Sequence, residues 1–133
     1  MKKAAVCGIV VNGKIFLLNR PETDYIKGYT LPGGKFDDII DKAIEDCVIR
    51  ELYEETNIKE NYIYYVSDLI SNNGKYIISI FYKRLLYFPE VVISSEHTDY
   101  LWVDINNLDP EILAGNTMQL INEIKTKYYY NEN

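Results

Sequence analysis

The residues best suited to chemistry lie in Arg50-Glu51-Leu52-Tyr53-Glu54-Glu55. On a helix, Glu51, Glu54 and Glu55 stand at i, i+3 and i+4, so three carboxylates share one face. Like charges at that spacing weaken a helix. The chemistry that would use such crowding is the binding of hard divalent cations through oxygen. Arg50 stands beside Glu51 and four residues before Glu54, where a guanidinium can hold a carboxylate at two points and fix its orientation. Gly33-Gly34 follow the short apolar run Tyr29-Thr30-Leu31, and glycines let a backbone approach a ligand or metal closely. Glu96 sits in a polar loop between apolar runs, a place suited to a ligand that comes and goes. Taken singly, each has a plainer account: a solvated acidic face, a helix ion pair worth a few tenths of a kcal/mol, a turn, a hydrated loop. Their conjunction is what points to a site.

The 133 residues, 47% of them hydrophobic, suffice for one domain over 1–133 with one core. The net charge of −6 and the lack of a basic stripe argue against a nucleic-acid duplex or an anionic membrane as the main partner. After Lys2 and Lys3 an apolar run ends at Asn12-Gly13, too short for a signal-peptide core with its cleavage site or for a bilayer span. A soluble cytoplasmic protein is expected. Cys7 and Cys47 fall in apolar periodic segments and read as small buried hydrophobes. The thirteen tyrosines, three of them consecutive at Tyr128-Tyr129-Tyr130, read as a compositional bias without a functional message.

These groups need elements to position them. Residues 4–11 and 14–19 are β-branched runs around Asn12-Gly13, a hairpin signal. A polar loop from Arg20 to Lys27, a strand at 29–31 and a Pro32-Gly33-Gly34 turn follow. The main helix is expected from Lys42 to Thr56, with Asp41 as N-cap, a stripe of Ile44, Cys47, Val48 and Leu52, and Asn57 as the left-handed stop. Residues 62–70 and 75–88 form a second hairpin around Asn72-Asn73-Gly74, closed by Pro89. Residues 91–93 and 100–103 read as short strands. A helical tail begins at Leu108-Asp109-Pro110, with Met118, Ile121, Ile124 and Tyr128 on one face. The class is α+β, a sheet packed by two helices.

The segment from Leu31-Pro32-Gly33-Gly34-Lys35 through Arg50-Glu51-Leu52-Tyr53-Glu54-Glu55-Thr56-Asn57-Ile58 resembles the signature of the Nudix hydrolase family, G-x5-E-x7-R-E-U-x-E-E-x-G-U with U a bulky aliphatic. The order of the remaining elements is similar to that of MutT-like members. Three departures stand out. Two extra residues lie between Gly34 and Arg50; the signature's first glutamate falls on Lys42, with Asp41 or Asp38 as conceivable substitutes; and its last glycine is Asn57.

The resemblance implies the Nudix fold, a mixed β-sheet packed between helices as an α/β/α sandwich. It implies cleavage of a nucleoside diphosphate linked to another moiety, by water attack on phosphorus. A nucleoside triphosphate is the first substrate expectation. ADP-ribose, another nucleotide sugar or a dinucleoside polyphosphate is the alternative; Asn73 stands where many ADP-ribose enzymes carry proline. A non-catalytic nucleotide sensor would be expected to have lost the box glutamates. A plain calcium-binding protein leaves Arg50 and the glycines unexplained and lacks an EF-hand series.

By resemblance the metal ligands are Glu51, Glu54, Glu55 and Glu96 with a backbone carbonyl of Gly33 or Gly34. The ion is Mg2+, with Mn2+ as a substitute. Glu51 is preferred as general base over Glu54 and Glu96, and Arg50 orients the catalytic glutamate. Arg20 and Lys35 are phosphate candidates, and Asn116 either contacts a purine or caps the last helix. Tyr76 lies near a tyrosine of some dinucleoside polyphosphate hydrolases, a match that chance explains. His97 reads first as an exposed loop residue and second as an aid to proton transfer. Many relatives pair, so a homodimer is possible. Cations are also required on electrostatic grounds: one pair of like unit charges 4 Å apart near a protein surface repels by about 4 kcal/mol, and a polyphosphate would meet several.

Overall fold

The computed structural model describes residues 1–21 and 27–129. Most of the loop between Arg20 and Lys27, and Tyr130 of the tyrosine triplet, lie outside the described residues. Strand β1 (Lys2–Val11) turns through Asn12 and Gly13 into β2 (Lys14–Asn19). Both turn residues have positive φ, 53° and 79°, as the tight hairpin requires. The order continues with β3 (Tyr29–Thr30), β4 (Gly33–Lys35), α1 (Ile44–Thr56), β5 (Tyr64–Ile70), β6 (Tyr76–Leu85), β7 (Tyr100–Asp104) and α2 (Thr117–Ile124).

β1 is the axis of the sheet. It runs parallel to β6 from Lys2↔Tyr76 to Val11↔Leu85, a pairing that needs a long crossover, here containing α1 and β5. Its other edge is shared between two strands: β4 pairs with Ala4, Ala5 and Val6, and β2 with Val10 and Val11. The path of the sheet is β3-β2-β1-β6-β5, with β7 added on β2.

Alternation along β1 sends side chains into two cores. Ala5, Cys7 and Ile9 pack with Cys47, Val48 and Leu52 of α1. Val10 packs with Leu120, Ile121 and Ile124 of α2. Gly8 lets α2 settle onto bare backbone, since a Cβ there would lie 2.5 Å from Ile124 Cδ1. The result is a mixed sheet between two helices. Both cysteines are fully buried, and burial pushes the Cys7 thiol up and the Cys47 thiol up to about 12, so neither is a nucleophile. No described helix is long and apolar enough to cross a membrane.

Several sequence boundaries shift. Gly33-Gly34 form a strand rather than a turn, because β1 offers a free ladder there. The main helix starts at Ile44, not Lys42, with Ala43 at the cap position. Asp46 Oδ2 accepts from the backbone N–H groups of Lys42 and Ala43, which ties down the entry. Residues 91–93 form no strand; Val92 and Ser94 donate instead to the carbonyls of Thr56 and Glu55 at the end of α1. The tail is a 3-10 turn at Pro110–Ile112, then α2, then a π-helical turn at Lys125–Tyr129. Leu120 takes the buried position that Met118 was expected to fill, while the side chain of Tyr128 lies outside the described residues.

Asn57 does stop α1, at φ 63°, with its N–H donating to Tyr53 O at 2.9 Å. Asn57→Ala should lower stability by about 1 kcal/mol, whereas Asn57→Gly should cost nothing. Urea midpoints of the three proteins check this.

Candidate active site

The site is built where β4 meets α1. The two glycines make room for carboxylates of the chain itself. A Cβ on Gly34 would lie 2.5 Å from Glu51 Cδ and 2.7 Å from its Oε2, and a Cβ on Gly33 would run into the carbonyl of Ala5. The N–H of Gly33 donates to Glu55 Oε1 at 2.8 Å. A side chain at Gly34 would therefore push Glu51 out of place, and one at Gly33 would break the pairing of β4 with β1.

Arg50 organises the acids around it. Its Nε and Nη2 donate to the two carboxylate oxygens of Asp41, at 3.0 and 2.8 Å, and its Nη1 donates to Glu51 Oε1 at 2.8 Å. The same nitrogen lies 3.4 Å from Glu54 Oε2. The Asp41 side chain is 2% exposed, so it meets Arg50 largely out of water. The guanidinium beside it holds its carboxyl below the usual range against the opposing effect of burial. Asp41 is thus not a helix cap but the anchor of Arg50.

The loop before α1 turns Asp41 inward. Asp37 accepts from Ile39 N through Oδ1 and from Ile40 N and Asp41 N through its carbonyl, while Asp37 N donates to Asp41 Oδ2. This knot bulges Ile39 and Ile40 into solvent, 89% and 58% exposed, and returns the chain with Asp41 pointing inward. Lys42 faces away and Asp38 lines a different cleft.

His97 is the main surprise. Its side chain is 9% exposed, not free on a loop. Nδ1 lies 3.0 Å from Asn19 O and Nε2 lies 3.0 Å from Glu55 Oε2. Both neighbours are acceptors, so the ring satisfies both at once only in its doubly protonated form. The bond to Glu55 is the main cause that raises its pKa, against the opposing effect of burial. Its neighbour Glu96 is exposed, and its charge adds to the field on His97. A lone histidine next to an acid was the available signal; its contact with a residue 42 positions away was not legible.

The other sequence candidates divide. Arg20 follows β2, and its N–H donates to Gly28 O; Gly28 in turn sits against Ile112 and Ala114, so Arg20 and Asn116 come to one corner. Asn116 occupies the N-cap position of α2 without a capping side-chain bond, and its Nδ2 is buried with no hydrogen-bond partner. Lys35 does not join the glutamates. Its carbonyl lies 3.5 Å from Arg50 Nη2, but its ammonium stands over Tyr76, 5.6 Å from the ring centroid.

Among the described residues, no three acidic, histidine or cysteine side chains already converge as a metal cage. The donor set nonetheless fits a hard cation. Burial raises the Glu51 pKa, the Arg50 bond opposes it, and the charges of Glu55 and Glu54 raise it further, so the three carboxylates feel one another. The Glu54 side chain is 55% exposed and the Glu51 side chain 21%, leaving oxygen atoms open to an ion.

Two variants test this electrostatic frame in the presence of EDTA. Asp41→Ala should lose about 2 kcal/mol of stability, because it strands a partly buried guanidinium. Since the Asp41 pKa is lowered on folding, that loss is full above the ordinary aspartate value and fades as pH falls through the lowered one. His97→Gln has the opposite sign. The His97 pKa is raised on folding, so the stabilisation, about 2 kcal/mol, is complete below the unfolded imidazole value and disappears as pH rises through the raised one. Denaturant titrations from acid to mildly alkaline pH read both.

Comparison with known proteins supplies the rest. The sequence matches the NUDIX domain family over residues 1–122. No curated protein matches it. The NUDIX domain of Shewanella oneidensis NrtR, in complex with ADP ribose, superposes with a TM-score of 0.79 at 20% identity, covering 93% of this chain and 86% of that one. A MutT NUDIX hydrolase from Burkholderia pseudomallei gives 0.75 at 22% identity, covering 92% and 97%. A bifunctional NMN adenylyltransferase/ADP ribose pyrophosphatase from Francisella tularensis, complexed with AMP and a Mn ion, gives 0.75 at 21% identity, covering 94% of this chain and 41% of that one.

Proposed function

Because the chain belongs to the NUDIX domain family, we propose that it hydrolyses a diphosphate linkage of a nucleotide with the help of Mg2+, and that a nucleoside triphosphate is the substrate. The observation that carries this is the retained set of Glu51, Glu54 and Glu55: Arg50 holds the first two, Glu51 packs against Gly34, and Glu55 accepts from the N–H of Gly33. A sensor domain has no use for three carboxylates held in register at this cost in repulsion.

Glu54, the most open of the three, and Glu51 offer the first oxygens to the ion, Glu55 joins them, and Glu96 serves from its exposed loop. Bound there, Mg2+ would neutralise phosphate charge and lower the pKa of a water. Glu51 takes the proton from the attacking water. Burial raises its pKa above the ordinary glutamate value, which makes it a stronger base, and Arg50 fixes the direction of its lone pairs. Arg50 is itself held by Asp41, so it cannot swing away to pair with the phosphates. Arg20, next to the Asn19 whose carbonyl meets His97, contacts the phosphate chain, and the unpartnered Nδ2 of Asn116 reads a base acceptor.

A nucleotide sugar such as ADP-ribose is the second reading, favoured by the ADP ribose held by the NrtR domain. A hydrolysis screen over nucleoside triphosphates, dinucleoside polyphosphates and nucleotide sugars, with and without Mg2+, separates the two. On the preferred substrate Glu51→Gln should lower kcat by roughly 10²- to 10⁴-fold, and wild-type activity should rise with pH on a limb above the usual glutamate range. Glu54→Gln should raise the Mg2+ concentration needed for half activity. Unaltered turnover in both variants would end this assignment.

A further inference from the structure

A second charged feature lies at the other end of β4. A cleft of about 470 Å3 is lined by Lys2, Lys3, Lys35, Phe36, Asp38 and Tyr76. The sheet register explains it. Lys2 pairs with Tyr76, and Lys35 pairs with Ala4, so these four residues share one face of the sheet, with only the methyl of Ala4 between the two lysines. Gly34, the neighbour of Lys35, faces Glu51, which puts Lys35, Lys2 and Tyr76 on the side of the sheet away from the glutamates; Lys3, in series with Ala5 and Cys7, stands on the other side over Phe36, so the cleft wraps the end of the sheet.

The ammonium groups of Lys2 and Lys35 stand 5.9 and 5.6 Å from the centroid of the same Tyr76 ring, and Lys3 stands 5.8 Å from that of Phe36. None of the three forms an ion pair with a described carboxylate. With one carboxylate, Asp38, against three lysines, the cleft is strongly positive in a protein of net charge −6. Like charges held over one aromatic ring repel each other, and an anion placed between them removes that repulsion. Lysines act as point charges on phosphate and need no planar fit. The volume suits a small molecule.

We propose that this cleft binds the diphosphate group of a small molecule directly, without a metal ion. This goes beyond the hydrolytic reading and does not depend on it: the carboxylate face needs cations to tolerate a phosphate, whereas the lysine cleft supplies its own.

The test is a titration of the whole chain with inorganic pyrophosphate in excess EDTA, followed by amide NMR shifts. Saturable shifts centred on Lys2, Lys3, Lys35 and Tyr76 are expected, and the double variant Lys2→Ser/Lys3→Ser should bind at least tenfold more weakly. Both positions are exposed at the start of a strand, and unchanged shifts elsewhere will show that the fold is kept. A parallel titration with ADP identifies the source of the group. Equal affinity points to a free inorganic anion and tighter binding of ADP to a nucleotide, and either sustains the cleft as a site. Absence of saturation, shifts scattered over Lys14, Lys83 and Lys125, or undiminished binding by the double variant would overturn it. Because no metal is present, loss of hydrolysis in Glu51→Gln has no bearing on the result.

Discussion

Carboxylates crowded on one helical face repel, and a fold that gathers them must place a cation among them. Here Arg50 is that cation. It touches Asp41, Glu51 and Glu54 at once. The two-point bond to Asp41 decides the arrangement, because it takes place largely out of water and leaves only Nη1 to reach the others. Without it the guanidinium would be free to follow solvent or a phosphate, and Glu51 would lose its orientation. The geometry of Glu51 and Glu54 therefore rests on Asp41, which reaches them only through Arg50.

The sheet supplies the second half of the constraint. β1 shares one edge between two partners, and the part left to β4 is short. Its first two positions take only glycine, because the backbone of β1 lies against Gly33 and the Glu51 side chain of α1 against Gly34. The close approach that lets Gly33 donate to Glu55 is the same approach that buries Cys47, Val48 and Leu52. Core packing and site geometry are in this sense one interaction, and they share the register of β1 with β4.

Much of this was legible in the sequence because it is local. Helical spacing put Glu51, Glu54 and Glu55 on one face, Asn12-Gly13 set the first hairpin, and Asn57 ended the helix. What escaped was set by tertiary competition. Gly33-Gly34 read as a turn because glycine is a turn former, yet an unpaired ladder on β1 recruits them. Asp41 read as a cap because it precedes a helix, yet a distant guanidinium claims its side chain. His97 read as exposed because its neighbours are polar, yet it is buried against Asn19 and Glu55 by contacts spanning 78 and 42 positions. Lys35 was grouped with the phosphate contacts by its place after the glycines, and strand alternation turns it the other way.

The pairing of His97 with Glu55 has a consequence for the acids around it. Acids gathered on one side of α1 would leave an unrelieved cluster of negative charge. A ring that donates to Glu55 relieves part of that repulsion within the chain itself. On the proposed reading, a cation that reached this oxygen would do so in exchange for the ring.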